Sequence, residues 1–217
     1  QDFPNPVVSR QACVCTPTCF VPIDRVRIIG ERINPTGKKR LKQAILEQDF
    51  DYILSQGLSQ LEAGAQILDV NMGMPEVDES RMLPLVIQKL QGVLDAPLQI
   101  DSSNVKAIEQ ALRLYNGKPI VNSVNGEEGS MNAILPLVKK YGAAVVALTL
   151  DDNGIPLLAE ERFAIAERIV AHAEQYGIPR EDIYVDCLTL TASVQQKEVV
   201  ETLKAMRMVK EQLGCRT

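Results

Sequence analysis

The feature that most constrains the fold is an alternation. Six short apolar runs, VRIIG (26–30), AQILDV (65–70), PLQI (97–100), KPIV (118–121), AAVVALTL (143–150) and DIYVD (182–186), are each followed by a longer segment with helical periodicity. FDYILSQGLSQLEAGA, ESRMLPLVIQKLQGVLD, NVKAIEQALRLYNG and VVETLKAMRMVKEQLG are the plainest of these, and several close on a glycine suited to a helix C-terminus. A strand-helix order of this kind dictates parallel strands. Because the runs are continuous rather than alternating, the strands are expected to be buried on both faces, in a doubly wound sheet or a (β/α)8 barrel.

What ends each run is as informative as the run itself. In chain order the ends carry Glu31 and Asn34, Asp69 and Asn71, Asp101 with Ser102 and Ser103, Asn122 with Ser123 and Asn125, Asp151 and Asp152, and Asp186. In a parallel α/β fold the carboxyl ends of all strands share one face, where barrel enzymes place their sites. Asp, Asn and Ser also cap helices and make turns, and Asp152, Asn104, Ser103 and Asn153 are read that way. Caps account for one polar residue per loop. They do not account for a carboxylate or amide at the last position of nearly every strand.

Composition narrows the chemistry. The chain has 217 residues, 46% of them hydrophobic, and a net charge of −5 with its basic residues scattered. It can bury one large core, offers no basic face for nucleic acid, and has no apolar run near the roughly 18 residues of a membrane span. A cytoplasmic protein is expected, since QDFPNPVVSRQ lacks the pattern of a secretory signal. Cys13, Cys15 and Cys19 cluster, but their spacing and the single histidine, His172, argue against a metal site; Cys187 and Cys215 read as structural. Lys38, Lys39 and Arg40 read as solvated charge.

With no cysteine-histidine pair and no phosphate-binding GxxxxGK[ST] loop, neither nucleophilic catalysis nor nucleotide hydrolysis is indicated. Carboxylates and primary amides suit recognition by hydrogen bonds. A carboxylate accepts two parallel bonds from a planar heterocycle that offers adjacent ring N–H and amino donors, and an amide serves the remaining edge. A pterin ring has that pattern.

The motifs IIGERINPTGKKRL, ILDVNMG, LQIDSSN, PIVNSVNGE and YVDCLTLT resemble those of the pterin-binding methyltransferases, most of all the folate-binding module of cobalamin-dependent methionine synthases. The resemblance runs from about residue 25 to the last residue. It implies a TIM barrel of the dihydropteroate synthase-like type over 25–217, preceded by a linker over 1–24 like the segment that joins a homocysteine-binding module. It further implies that the barrel binds 5-methyltetrahydrofolate and presents the N5 methyl to cob(I)alamin carried on another module. Carried over by motif, Glu31, Asn34, Asp69, Asp101, Asn122 and Asp186 line the pocket, with Asp101 and Asp186 on the donor edge of the ring, and the strand-end residues Asn71, Ser102 and Asn125 complete the candidate set. A tertiary amine is a poor leaving group, so N5 needs a proton or a hydrogen bond that strengthens as the C–N bond breaks.

The family's asparagine after the seventh barrel strand has no counterpart before the final LGCRT, so no catalytic residue is assigned. About six of the eight β/α units are expected, with open sheet edges that favour self-association. Dihydropteroate synthase shares the barrel, but the loop expected after its sixth strand, rich in glycine and containing lysine, is not matched by VDCLTLTAS. Other corrinoid-dependent methyltransferases, and a folate-binding module without turnover, are the remaining alternatives. The methyl acceptor is not legible here.

Overall fold

The computed structural model describes residues 10–191, 193 and 195–217. The segment read as a linker contains structure: β1 (Cys13–Cys15) and β2 (Phe20–Pro22) pair antiparallel as a hairpin, while residues 1–9 lie outside the described residues. Then come β3 (Ile29–Ile33), α1 (Lys39–Glu47), α2 (Phe50–Glu62), β4 (Ile67–Asn71), α3 (Glu79–Gln91), β5 (Leu98–Asp101), α4 (Val105–Leu114), β6 (Ile120–Asn125), α5 (Glu128–Tyr141), β7 (Ala144–Leu148), α6 (Ala159–Gln175), β8 (Ile183–Asp186) and α7 (Gln196–Met208). The strands β3 to β8 form one parallel six-stranded sheet in chain order. This is an α/β fold with six consecutive β/α units, as a (β/α)8 barrel short of two would have.

Local chemistry sets the element ends. Asp49, Asp78 and Asn104 accept hydrogen bonds from backbone N–H groups in the first turns of α2, α3 and α4, satisfying donors that have no partner within the helix. Asn104 is thus a cap, as its sequence context suggested. The chain leaves α5 at Gly142 with φ of 67°, a left-handed conformation that costs glycine least.

One face of the sheet packs against the helices through Ile33, Leu68, Val70, Leu98, Ile100, Val121, Val145 and Val185, all buried. The other face is lined at its N-terminal end by Ile67, Ile120 and Ala144, and the hairpin seals that end with Val14 and Val21. Burial of these two valines stabilises the closure by roughly 1.5–3 kcal/mol each as an upper bound. Mutual backbone bonds of 3.0 Å between Cys15 and Lys118 fix the hairpin against the strand β6 approach.

Burial on both faces does not extend to the sheet edges. Ile29 and Glu31 of β3 and Asp186 of β8 are exposed, because each edge strand has a strand neighbour on one side only. At the β3 edge the register with β4 shifts between Gly30 and Ile33, and the Gln60 side chain accepts the Arg32 backbone N–H at 2.7 Å. At the other edge Arg216 makes a parallel bridge to Tyr184, and its carbonyl accepts the Val185 N–H at 2.8 Å.

Candidate functional site

Strand register brings the predicted residues together in two tiers. Within the upper tier Asn71 lies opposite Asp101, and Asp101 opposite Asn122, on three adjacent strands. Asn71 Nδ2 donates to Asp101 Oδ2 at 2.9 Å. One pleat repeat deeper, Asp69 lies opposite Gln99, whose Nε2 donates to Asp69 Oδ1 at 2.6 Å. Asp69 is only 2% exposed, so it forms the floor and the upper tier forms the rim.

The electrostatics follow from this layering. Burial, the nearby Asp101 and the more distant Glu31 push the Asp69 carboxyl up to about 7, while the amides of Gln99 and Asn122 favour its charged form and oppose the rise. Asp101 is raised as well, first by burial and then by Glu31, against the pull of the Asn71 hydrogen bond. Oδ1 of Asp101 takes no hydrogen bond among the described residues, which leaves a free acceptor on a residue that lines the adjoining cleft.

The flanking residues are engaged differently. Ser102 Oγ accepts the Asn104 N–H at 2.9 Å, and Asn125 Oδ1 accepts the Glu127 N–H at 3.0 Å, so both shape the turns that lead into α4 and α5. Asn34 Oδ1 likewise accepts the Thr36 N–H at 3.0 Å in the Pro35-Thr36-Gly37 turn. Glu31 pairs with Lys38 at 3.4 Å in solvent. Lys38 also donates to the Glu31 and Asn34 carbonyls, so it ties down this turn rather than standing as free charge. Asp186 Oδ1 accepts the Leu188 N–H at 2.8 Å, and Leu188 adopts φ of 56° to allow it. Asp151 is bound to Arg168 at 2.9 Å and to the Asn153 N–H, outside the belt.

A cleft of about 410 Å³ opens beside the belt, lined by Asp101, Ser102, Asn122, Ser123 and Asn125 among others. A larger groove of about 590 Å³ runs along the start of α6 and contains only Asp151 of the strand-end carboxylates. Two buried groups escaped the sequence reading. Gln99 was signalled by a polar residue inside the apolar run PLQI, whereas Arg162, fully buried in α6, had no signal, since its surroundings come from distant loops.

Residues 30–217, which contain this belt, match the model of the family described as pterin binding enzyme. The chain belongs to the pterin-binding enzymes. Among curated members it is 30% identical over 196 residues to the methionine synthases of Mycobacterium leprae and Mycobacterium tuberculosis. Each match covers 86% of this chain and 16% of the relative, so the chain spans about one-sixth of those proteins. Among solved structures of the family, the dihydropteroate synthase of Xanthomonas albilineans in complex with 7,8-dihydropteroate aligns with a TM-score of 0.69 at 20% identity, over 94% of this chain and 74% of that one. The dihydropteroate synthase of Vibrio fischeri aligns with a TM-score of 0.64 at 17% identity, over 94% and 75%. These likenesses establish the pterin-binding barrel as the fold. Among the described residues no helix is long and apolar enough to cross a membrane, and all five cysteines are free.

Proposed function

We propose that this chain is the folate-binding part of a cobalamin-dependent methionine synthase, working in the cytoplasm, and that its belt binds 5-methyltetrahydrofolate with the N5 methyl turned to the mouth. The observation that carries the reading is the Asn71, Asp101, Asn122 row on three adjacent strands, which offers a carboxylate flanked by amides to one planar ligand. A pterin edge presents adjacent N–H and amino donors, and the free Oδ1 of Asp101 with the bonded Oδ2 suits that pair as it would a guanidinium. Asp186, across the mouth, supplies the second carboxylate. The 30% identity to two methionine synthases supports the methyltransferase over other pterin chemistry. A corrinoid held on another module supplies the methyl acceptor, and a homocysteine-binding module the final one.

What these residues do is bind and orient. Held along the edge remote from N5, the ring keeps one orientation, and the methyl group stays exposed for transfer between modules. Calorimetric titration with 5-methyltetrahydrofolate, followed by a spectroscopic methyl-transfer assay with free cob(I)alamin, tests both halves. Saturable binding is expected. Absence of binding at millimolar ligand would dispose of the pterin reading, and binding without transfer would leave a folate-binding module that lacks turnover by itself.

A further inference from the structure

Arg162 is fully buried, and its guanidinium forms no ion pair among the described residues. Glu201, which feels the Arg162 charge, is half-buried, accepts from the Ala159 N–H and pairs with Lys204 instead. Removing a cation from water costs several kcal/mol unless its donors are met; Nη2 has no partner among the described residues, and the acceptors that Nε and Nη1 have found show what the side chain holds. Nε donates to the Pro156 carbonyl at 2.8 Å, and Nη1 to the Cys187 carbonyl at 2.8 Å and the Leu188 carbonyl at 3.2 Å. Nη1 also contacts the Thr202 hydroxyl, itself buried and bonded to the Glu198 carbonyl. One planar fork therefore joins the β7–α6 loop, the turn after β8 and α7.

The turn after β8 is the one that sets Asp186. Its carboxylate accepts the Leu188 N–H, and its carbonyl accepts both the N–H and the hydroxyl of the buried Thr149. The two carbonyls that follow, of Cys187 and Leu188, are those that Arg162 takes. Asp186 stands on an edge strand and is exposed, so neighbouring strands hold it less firmly than they hold Asp101.

We propose that Arg162 is a positioning residue for the pterin site: its buried guanidinium fixes the Asp186–Leu188 turn and, through it, the direction of the Asp186 carboxylate. The proposal rests on the pterin-binding reading above. A lysine would keep the charge but, as a point donor, cannot span carbonyls on separate segments.

The test is a double-mutant cycle read as tetrahydrofolate affinity, with circular dichroism and thermal unfolding to show that each variant is folded. Asp186→Asn and Arg162→Lys should each raise Kd about tenfold, and the double variant should lie within about twofold of Asp186→Asn alone, because the two act through one carboxylate. A purely structural role would give losses that multiply. Multiplied losses, or an Arg162→Lys chain that binds as the parent does, would overturn the proposal. If Asp186→Asn itself binds as the parent does, Asp186 is no part of the pterin site and the proposal is overturned, whereas a parent chain that does not bind tetrahydrofolate overturns the pterin reading. Should Arg162→Lys not fold, Thr202→Val carries the cycle: it removes the hydroxyl shared by Arg162 and the Leu188 carbonyl, and should weaken binding about threefold in the parent and not in the Asp186→Asn background. Equal effects in both backgrounds would overturn the proposal.

Discussion

The two sides of the mouth carry the same residue types in different physical states. On β4 and β5, Asp69 and Asp101 lie between neighbouring strands, accept side-chain amides and are pushed up by burial. On the edge strands, Glu31 has a side chain 61% exposed and paired with Lys38, and Asp186 is exposed and occupied with its own turn. A strand-end carboxylate is therefore not a uniform object. Position within the sheet decides whether it is a pre-set acceptor or a solvated charge.

Asp101→Asn should produce the largest effect, since it turns one carboxylate oxygen into a donor facing ligand donors. Tetrahydrofolate affinity should fall by roughly 2–4 kcal/mol, the scale for breaking a buried charge-assisted pair. The loss at Asp186 is expected to be smaller, about tenfold in Kd. Calorimetry on both variants breaks the comparison if the edge residue costs more than the central one. Asp152→Asn, in an exposed turn, serves as the control and should change affinity little.

The second effect concerns the floor. The Asp69 carboxyl stands at about 7 in the fold against an ordinary 3.8, so between those values the folded chain binds more protons than the unfolded one. The contribution of Asp69 to stability is therefore greatest below the lower value and is lost as pH rises to about 7. Asp69→Asn, whose side-chain oxygen can still accept from Gln99, removes that loss. Chemical denaturation should show a gain of roughly 1–3 kcal/mol at pH 8 and little change at pH 4. A loss at pH 8 would mean that the charge is needed on the floor.

How much of this was legible follows from the range over which each signal acts. The strands and their polar ends were readable because a run such as AQILDV and the residues after it lie within a few positions of each other. The tiering was half readable: a period of two puts Asp69 with Asn71 and Gln99 with Asp101, but only the register between strands shows that Asp69 meets Gln99. The hairpin was not readable, since two three-residue strands are too short to show a period and Val14 is buried by Ile67, Ile120 and Ala144 from elsewhere in the chain. Ser102 and Asn125 have the composition of pocket residues and the hydrogen bonds of turn residues. Arg162 needed carbonyls from three segments, and no local pattern encodes that.

Asn104→Ala tests the cap that sits beside the belt. Its side chain accepts from the Lys106 and Ala107 N–H groups at 3.1 and 3.2 Å, so the substitution should cost about 1 kcal/mol in denaturation experiments. Because α4 leads directly from Ser102, a loss of tetrahydrofolate affinity as large as that of Asp101→Asn would show that the helix start, and not the strand end, governs this side of the mouth.

The smallest effect sharpens the comparison most, because it joins the two sides. Glu31 is exposed, and its single ion pair, with Lys38, should contribute about 0.5 kcal/mol or less, so Glu31→Gln should leave the denaturation midpoint almost unchanged. Its charge nevertheless helps to raise both Asp69 and Asp101. Removing a negative neighbour favours the ionised form of each, so both carboxyls should titrate at lower pH in Glu31→Gln. Carbon NMR of the labelled carboxyl groups resolves the two side chains separately. A downward movement at Asp69 and Asp101 with unaltered stability would show that the exposed edge acts on the buried belt through space alone. If neither carboxyl moved, the rise at Asp69 would belong to burial and Asp101, and the solvated side of the mouth would have no electrostatic hold on the buried one.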